Sequence, residues 1–538
     1  MANAADVETV GAEGDGPYRS PGRRTRHAVI IGGSVAALLT AHVLRAHADR
    51  VTIIERDRLP EGPEPRAGVP QSRHTHVLLE GGQRALDELL PGIVAELREH
   101  GAPRVGMPSD IVQWQNGRYY RRTAATAHLL TGTRPLLEWL VRRRVLAERR
   151  ITVLEGTEVV GLLGDSDRVR GVRVRERGAE TRHDVRRLTA DLVVDASGRG
   201  SRAPDWLAAI GAEPPHEETL DTGLAYATRL FRQPGPHHDG SDADTGAHAD
   251  ADTGAHADAD TAANADGNRD DNAVGGTGES TDGGTGGGTD RDATDGTDSV
   301  GYYFIPGRGQ ARGGVALPVE GGFHLVTLSG LRGSEPPSDE EAFIDFTARL
   351  AHPVLHDWLM KARPESGVHA FRATANVRRR YDRAGRRPAG FLAVGDALCA
   401  FNPVYGQGMA VAALGAIALR DTLADPSRTP TTRRVQLALL NASRQAWNIA
   451  SGADRALPGA RGDAARTRVV DRPAAWYLAR VVQRAPGDPV VGEAFRAATS
   501  LMAPVSVLFA PRVVRAALFG PVRPAPSEPP PWKERTAG

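Results

Sequence analysis

Hydrophobic positions first gather at residues 28–31, where Ala28, Val29, Ile30 and Ile31 run without a polar break into Gly32 and Gly33. A short apolar run ending at glycine has the pattern of a buried parallel strand. Leu38, Leu39, Val43 and Leu44 then recur along one side of a helix expected over Ser34–Ala48. Val51 to Ile54 is a second apolar run, and it ends in Glu55. Strand, glycine turn, helix and strand make a βαβ unit.

Beyond it the pattern is mixed. Leu86, Leu89 and Leu90 keep helical spacing after the Pro-rich loop Leu59–Pro70 and the stretch QSRHTHVLLEGG. Asn116-Gly117 marks a hairpin over Ile111–Tyr120. Arg134 opens a helix with Leu136, Leu137, Leu140 and Val141. Strands are expected at Ile151–Leu154, Glu158–Leu163, Val169–Arg175 and Asp191–Val194, the last ending in the turn Asp195-Ala196-Ser197-Gly198. Further strands are expected at Thr222–Phe231, Ser299–Pro306, Arg312–Val319 and Gly322–Ser329, with helices at Ser338–Ala351 and Pro353–Lys361. Phe391–Val394 is a buried strand running into Gly395-Asp396, and a loop through Pro403 leads to Gly406-Gln407-Gly408-Met409 at the start of a small-residue helix. Pro473–Gly520 is expected to be helical and the Pro-rich tail from Pro521 loose.

A chain of 538 residues exceeds one typical core, so two linked domains are expected. The expected fold class is α/β: a βαβ unit, a helical insertion, a small meander and a return strand ending in Asp-x-x-Gly make a Rossmann-like FAD-binding domain of the two-dinucleotide-binding type, joined by an interleaved mixed-sheet substrate domain and C-terminal helices. The expected divisions are a disordered tail over 1–26, the FAD domain over 27–220 and 370–425, the substrate domain over 221–369, a helical region over 426–520 and the loose tail over 521–538. Residues 236–299 contain the octad ADTGAHAD twice in tandem, around His248 and His256, and almost no large apolar side chains. They cannot bury a core and read as a disordered insertion.

Charge sharpens that division. The formal net charge of +1 combines −14 over Asp239–Asp298 with +15 over the rest. The arginines are scattered rather than clustered with aromatic residues, so no nucleic-acid partner is expected. Cys399 is the single cysteine, which excludes a disulfide framework and fits a reducing, cytoplasmic setting. The first 26 residues lack the apolar core of a signal peptide, and no apolar run is long enough to span a bilayer.

Chemistry concentrates in three turns. Gly32, Gly33, Ser34, Val35, Ala36 and Ala37 form a degenerate glycine motif whose small residues allow close backbone approach, at a helix N-terminus suited to pyrophosphate. Glu55 sits where an acid grips a ribose hydroxyl. Asp195 and Gly198 mark the second turn. In the third, Asp396 suits a ribityl or ribose hydroxyl, while Gly406, Gln407, Gly408 and Met409 bring backbone N–H groups to a phosphate or flavin carbonyl. Arg73 is a candidate for the cofactor phosphates or ribose. Arg134 opposes its own helix dipole, which a nearby anion would explain. No metal site is expected, since His74 and His76 have no carboxylate at ligand spacing. Cys399 reads as packing, and no catalytic acid or base is assigned.

Together these motifs resemble the FAD-dependent monooxygenase superfamily of the aromatic-hydroxylase type. Within it, GVPQSRHTHVLLEGG, DTGLAYATRLFR, LSGLRGSEPPSDEE and FNPVYGQGM look like the actinobacterial epoxidases of polyether antibiotic pathways, the lasalocid and monensin type. Ser34 and Ala37, and the acidic insertion, depart from the family pattern. The resemblance implies FAD contacts that also include Arg56, Val159 and Pro403. It implies transfer of one oxygen from a flavin C4a-hydroperoxide to an apolar substrate, an alkene of a linear polyene ahead of an aromatic polyketide ring. NAD(P)H is the implied electron source, with a flavin reductase as a candidate partner and a carrier-bound polyketide as a candidate substrate. A saturating flavin reductase or dehydrogenase is a further alternative. A halogenase fits less well: that chemistry is associated with an active-site lysine, and the only lysines are Lys361 and Lys533. YYFIP also stands where a halogenase would show Trp-x-Trp-x-Ile-Pro.

Overall fold

The computed structural model describes residues 25–115, 117–178, 185–233, 301–307, 309–383, 385, 387–466 and 472–530. These belong to one compact unit spanning 1–234 and 299–538. The expectations for the N-terminal tail, the acidic insertion with its octad repeat, and Asn116 lie outside the described residues.

The fold is α/β, as the sequence pattern predicts. A parallel sheet has the order Phe391–Ala393, Leu192–Asp195, Thr25–Ile31, Ala48–Ile54, Ile151–Leu154. Its three central strands are sealed on both faces, which their unbroken apolar runs require. The helix Val35–Leu44 crosses over between Thr25–Ile31 and Ala48–Ile54. It is buried nearly all round, rather than along one stripe, because the helices Arg134–Leu146 and Gly408–Ala424 also pack on it. It ends before the expected Ala48. The chain turns at Arg45–His47, and Ala48 pairs with Thr25 in the sheet. A meander of Thr157–Gly164, Val169–Glu176 and Arg186–Thr189 lies between the third and fourth strands in chain order, Ile151–Leu154 and Leu192–Asp195.

The second layer is a mixed eight-stranded sheet. Its centre is Ala225–Arg232, Phe323–Gly330, Arg312–Val319 and Gly301–Phe304. Thr222 precedes the first of these strands, in a turn that Asp221 and Thr222 hold through the N–H groups of Gly223 and Leu224. The hairpin of Ile111–Gln115 and Arg118–Tyr119 forms as expected and extends this sheet by parallel pairing with Gly301–Phe304. Period-two alternation divides the faces. Ala227 and Phe231 pack under the helices Glu340–Thr347 and Val354–Leu359. Tyr226 and Thr228 face the other way, toward the loop carrying His74.

The helix Gly408–Ala424 packs on Thr432–Arg455 and Glu80–Leu89. Its small residues allow that closeness: a Cβ on Gly82 would stand 2.6 Å from the Cβ of Ala410. Arg472–Arg484, Pro489–Thr499 and Pro511–Leu518 form the C-terminal helices around their own apolar cluster. The tail expected to be loose is tied down as far as Pro526, whose carbonyl accepts from Tyr119 N–H at 3.0 Å, while Pro524 accepts from Arg121.

Candidate functional site

Parallel pairing brings the three fingerprint turns to one edge. Ile31, Ile54, Asp195 and Ala393 stand level across neighbouring strands. The residues that follow, Gly32, Glu55 and Ala196, and Gly395 after Val394, therefore emerge together at the carboxyl ends of the strands, where open α/β sheets bind ligands. The turns touch. A Cβ on Gly32 (φ +96°) would meet Ala196 O at 2.7 Å, and one on Gly395 (φ +56°) would meet the Cβ of Ala36 at 2.7 Å. Only glycine fits at either position.

The residues present fit FAD on three observations. Ser34 and Gln407, at the N-termini of the helices Val35–Leu44 and Gly408–Ala424, make no side-chain cap, and neither first turn holds an acid, so those N–H groups are left for an anion. Gln407 is buried, yet its Oε1 has no partner among the described residues. Arg134 Nε is buried without a hydrogen bond, 3.8 Å from Glu138 Oε2. Such groups cost stability unless something pairs with them.

The predicted residues divide by what they touch. Gly33 N–H donates to Glu55 Oε2 at 2.7 Å, and Asp57 N–H to Glu55 Oε1 at 2.9 Å. Glu55 also pairs with Arg66, which the sequence reading passed over as part of a Pro-rich loop. Arg66 bridges Glu55 and Glu138 at 2.8 Å each. Burial alone would lower its guanidinium pKa, but the carboxylates of Glu138 and Glu55 outweigh that and raise it. Asp195 is fully buried, and its carboxylate accepts from Ser197 and Ser201 within its own turn. It shapes the turn, whereas Gly198 beyond it borders open space. Asp396 is half-buried, and its carboxylate makes no hydrogen bond or ion pair among the described residues. Arg73 is exposed and similarly unengaged. Arg56 is exposed and donates to Gly68 O. Val159 sits in the strand Thr157–Gly164 and packs against the main core. Pro403 and Met409 flank the loop, and Gly406 (φ +64°) supplies its left-handed turn.

Opposite these turns the mixed sheet presents an aromatic group. His74 bonds Thr228 Oγ1 through Nδ1 at 2.8 Å, and Thr228 in turn bonds Thr327 at 2.6 Å. The His74 ring stands edge-on to Tyr226 at 4.6 Å and Phe371 at 5.6 Å, and those two rings stack at 5.3 Å. Burial, then the nearby His369, lowers His74 to about 4. Burial, then Arg134, lowers His76 to about 3. Burial raises the Tyr226 hydroxyl, with Arg199 and Arg134 pulling the other way and Asp396 adding to the rise. At neutral pH this wall is uncharged. Cys399 is buried in the third fingerprint and pushed up to about 12 by burial, so it remains a thiol.

Residues 25–220 match the FAD binding domain family. Protein Rv3254 of Mycobacterium tuberculosis is 31% identical over 413 residues, covering 74% of this chain and 73% of that protein. Among solved structures, the flavin-dependent halogenase CmlS matches with TM-score 0.52 and 19% identity, over 89% of this chain and 77% of its own. The probable FAD-dependent monooxygenase pqsL of Pseudomonas aeruginosa matches with TM-score 0.51 and 14% identity, over 80% and 94%. Both structural likenesses are of fold.

Proposed function

The chain belongs to the family of protein Rv3254 and carries the FAD-binding domain of the aromatic-hydroxylase-like superfamily of FAD-dependent monooxygenases; from that premise we propose that it inserts one O2-derived oxygen into an apolar polyketide-type substrate. The favoured reaction is epoxidation of alkenes in a linear polyene on the way to a polyether. The observation that carries this reading is the uncharged wall of His74, Tyr226 and Phe371 facing the fingerprint turns. An apolar substrate can lie against it, and no ionised acid or base need act.

Bound FAD, once reduced, supplies the activation of O2. The chain's own residues orient and exclude water. The open N–H groups at Val35–Ala37 receive the pyrophosphate, and Glu55, fixed by Arg66 and Gly33, the ribose. Asp396 takes a ribityl hydroxyl. Arg134 and the N-terminus of the Gly408 helix favour negative charge on the reduced ring. Electrons come from NAD(P)H, directly or through a partner flavin reductase, in the cytoplasm. Lys361 argues against halogenation. It is exposed, just past the helix Val354–Leu359, which packs on the sheet face opposite His74.

The test supplies the FAD-loaded protein with reductant, isotopically heavy O2 and a linear polyene. A product carrying one heavy oxygen per epoxide supports the proposal. A hydroxylated ring from an aromatic polyketide instead favours the hydroxylase reading. Peroxide release with no labelled product from either substrate favours a reductase or dehydrogenase.

A further inference from the structure

Large apolar side chains left in solvent are not evenly spread over this molecule. Among the described residues six are strongly exposed, and four of those, Trp476, Phe509, Phe519 and Val522, fall within the C-terminal helices and the turn after them. Their exposures are 64%, 46%, 80% and 75%. Scattered single residues of this kind need no explanation, but a concentration marks an interaction surface.

The helices that carry them lie side by side. Tyr477 packs on Phe509 at 5.0 Å and donates to Leu508 O at 2.6 Å, while Arg484 donates to Pro521 O at 3.0 Å. Arg472–Arg484 and Pro511–Leu518 thus run in the same direction, burying Tyr477, Val481, Val513 and Ala517 between them. What each helix turns outward is aromatic and basic: Trp476 and Arg480 on one, Arg512, Arg515 and then Phe519 on the other, followed by Val522 and Arg523. The charge is one-sided. Residues 472–523 contain seven arginines against two acids, Asp488 and Glu493; Asp488, Arg484 and Arg496 are buried, which leaves five arginines and Glu493 toward the surface. Arg480, Arg512, Arg515 and Arg523 make no ion pair among the described residues; Arg480 is half-buried and donates to Gln483 at 3.0 Å, and the other three are exposed.

Protruding aromatic side chains ringed by unpaired arginines match an anionic lipid surface: the rings enter the headgroup boundary and the guanidinium groups meet phosphates. No described helix is long and apolar enough to cross a membrane, so any such contact would be peripheral. We propose that the face formed by Trp476, Phe509, Phe519 and Val522 with Arg480, Arg512, Arg515 and Arg523 docks this protein on an anionic bilayer surface. The inference is independent of the reaction proposed above.

The test is co-sedimentation of the full, FAD-loaded chain with vesicles of phosphatidylcholine and phosphatidylglycerol, against vesicles of phosphatidylcholine alone. Binding is expected to the anionic vesicles and to weaken as salt rises. Phe519→Ser with Val522→Ser, and separately Arg512→Glu with Arg515→Glu, should each lower partitioning by about 10-fold or more, with FAD content unchanged. These positions are exposed and outside the cofactor site. Absence of wild-type binding to anionic vesicles at low salt would overturn the proposal. So would binding that both double variants retain. Retention on immobilised heparin without vesicle binding would also overturn it, showing that the face binds polyanions through its arginines and not a bilayer through its aromatic side chains.

Discussion

Arg66 Nη1 lies 2.8 Å from Glu55 Oε2, and this contact holds the cofactor's expected ribose acid in place. The same guanidinium reaches Glu138 at 2.8 Å and stands 3.6 Å from Asp57, so one cation serves three buried carboxylates. Removing it leaves Glu55 with no cation among the described residues and Glu138 with Arg134 at 3.8 Å alone, while Asp57 keeps Arg177 at 2.6 Å. Arg66→Met should therefore cost about 3 kcal/mol or more, read as a drop in thermal midpoint, and weaken FAD binding. Arg66→Lys should recover little, because a single ammonium cannot reproduce the fork between Glu55 and Glu138. Full recovery by lysine would show that only the charge matters.

Gly395 and Gly198 separate close approach from backbone conformation. Both have positive φ, but a Cβ on Gly395 meets the Cβ of Ala36 at 2.7 Å, while one on Gly198 meets nothing within 4 Å. Gly198→Ala should cost about 1–2 kcal/mol from the left-handed conformation alone. Gly395→Ala carries that cost and also drives the third fingerprint away from the first. It should lose FAD content measured by absorbance, where Gly198→Ala retains it. Equal FAD loss in both variants would overturn the convergence argument.

The parts legible in the sequence were those with local signals. The apolar run into Gly32, the acid after the second strand and the Gly406–Met409 turn each announce themselves within a few residues, and parallel pairing then brings their strands level. Arg66 gave no such signal. Its importance arises from Glu138, 72 residues later and on a different element. The surroundings of Asp195 were not legible for a related reason, since Ser197 and Ser201 in its own turn fold back and enclose its carboxylate. His74 became interpretable only with the register that sets Thr228 beside Thr327.

His74 makes stability depend on acid. It is neutral in the folded protein down to about pH 4, while in the unfolded chain it takes up a proton below 6.5. The unfolded state therefore binds more protons in that window, and stability falls as pH drops from 6.5 toward 4. The loss from this one residue is about 2 kcal/mol near pH 5. His74→Gln should flatten that acid limb in denaturant unfolding measured from neutral pH down to about pH 5. An unchanged slope would mean that His74 is not the titrating group.

Asp454 anchors the loop ahead of the Gly408 helix. Its buried carboxylate accepts from Asn376 Nδ2 at 2.6 Å, Asn402 Nδ2 at 3.1 Å and Tyr405 Oη at 2.5 Å. From the mixed sheet, Tyr303 Oη donates to Val404 O at 3.0 Å, so the loop is gripped from both layers. Asp454→Leu strands three buried donors at about 1–3 kcal/mol each and should release FAD measurably faster. Asp454→Asn, which can still accept, should do less harm. The two variants should also share a pH signature. Burial raises the Asp454 carboxyl above its ordinary value, outweighing its three donors, so its charged form penalises the fold at neutral pH. That penalty is relieved as pH falls through the raised value toward 3.8, the opposite sense to His74. Both variants lack the ionisable group, so each should lose this acid-side relief. If Asp454→Asn keeps the wild-type pH profile while FAD release quickens, the loop is held by geometry and not by the charge.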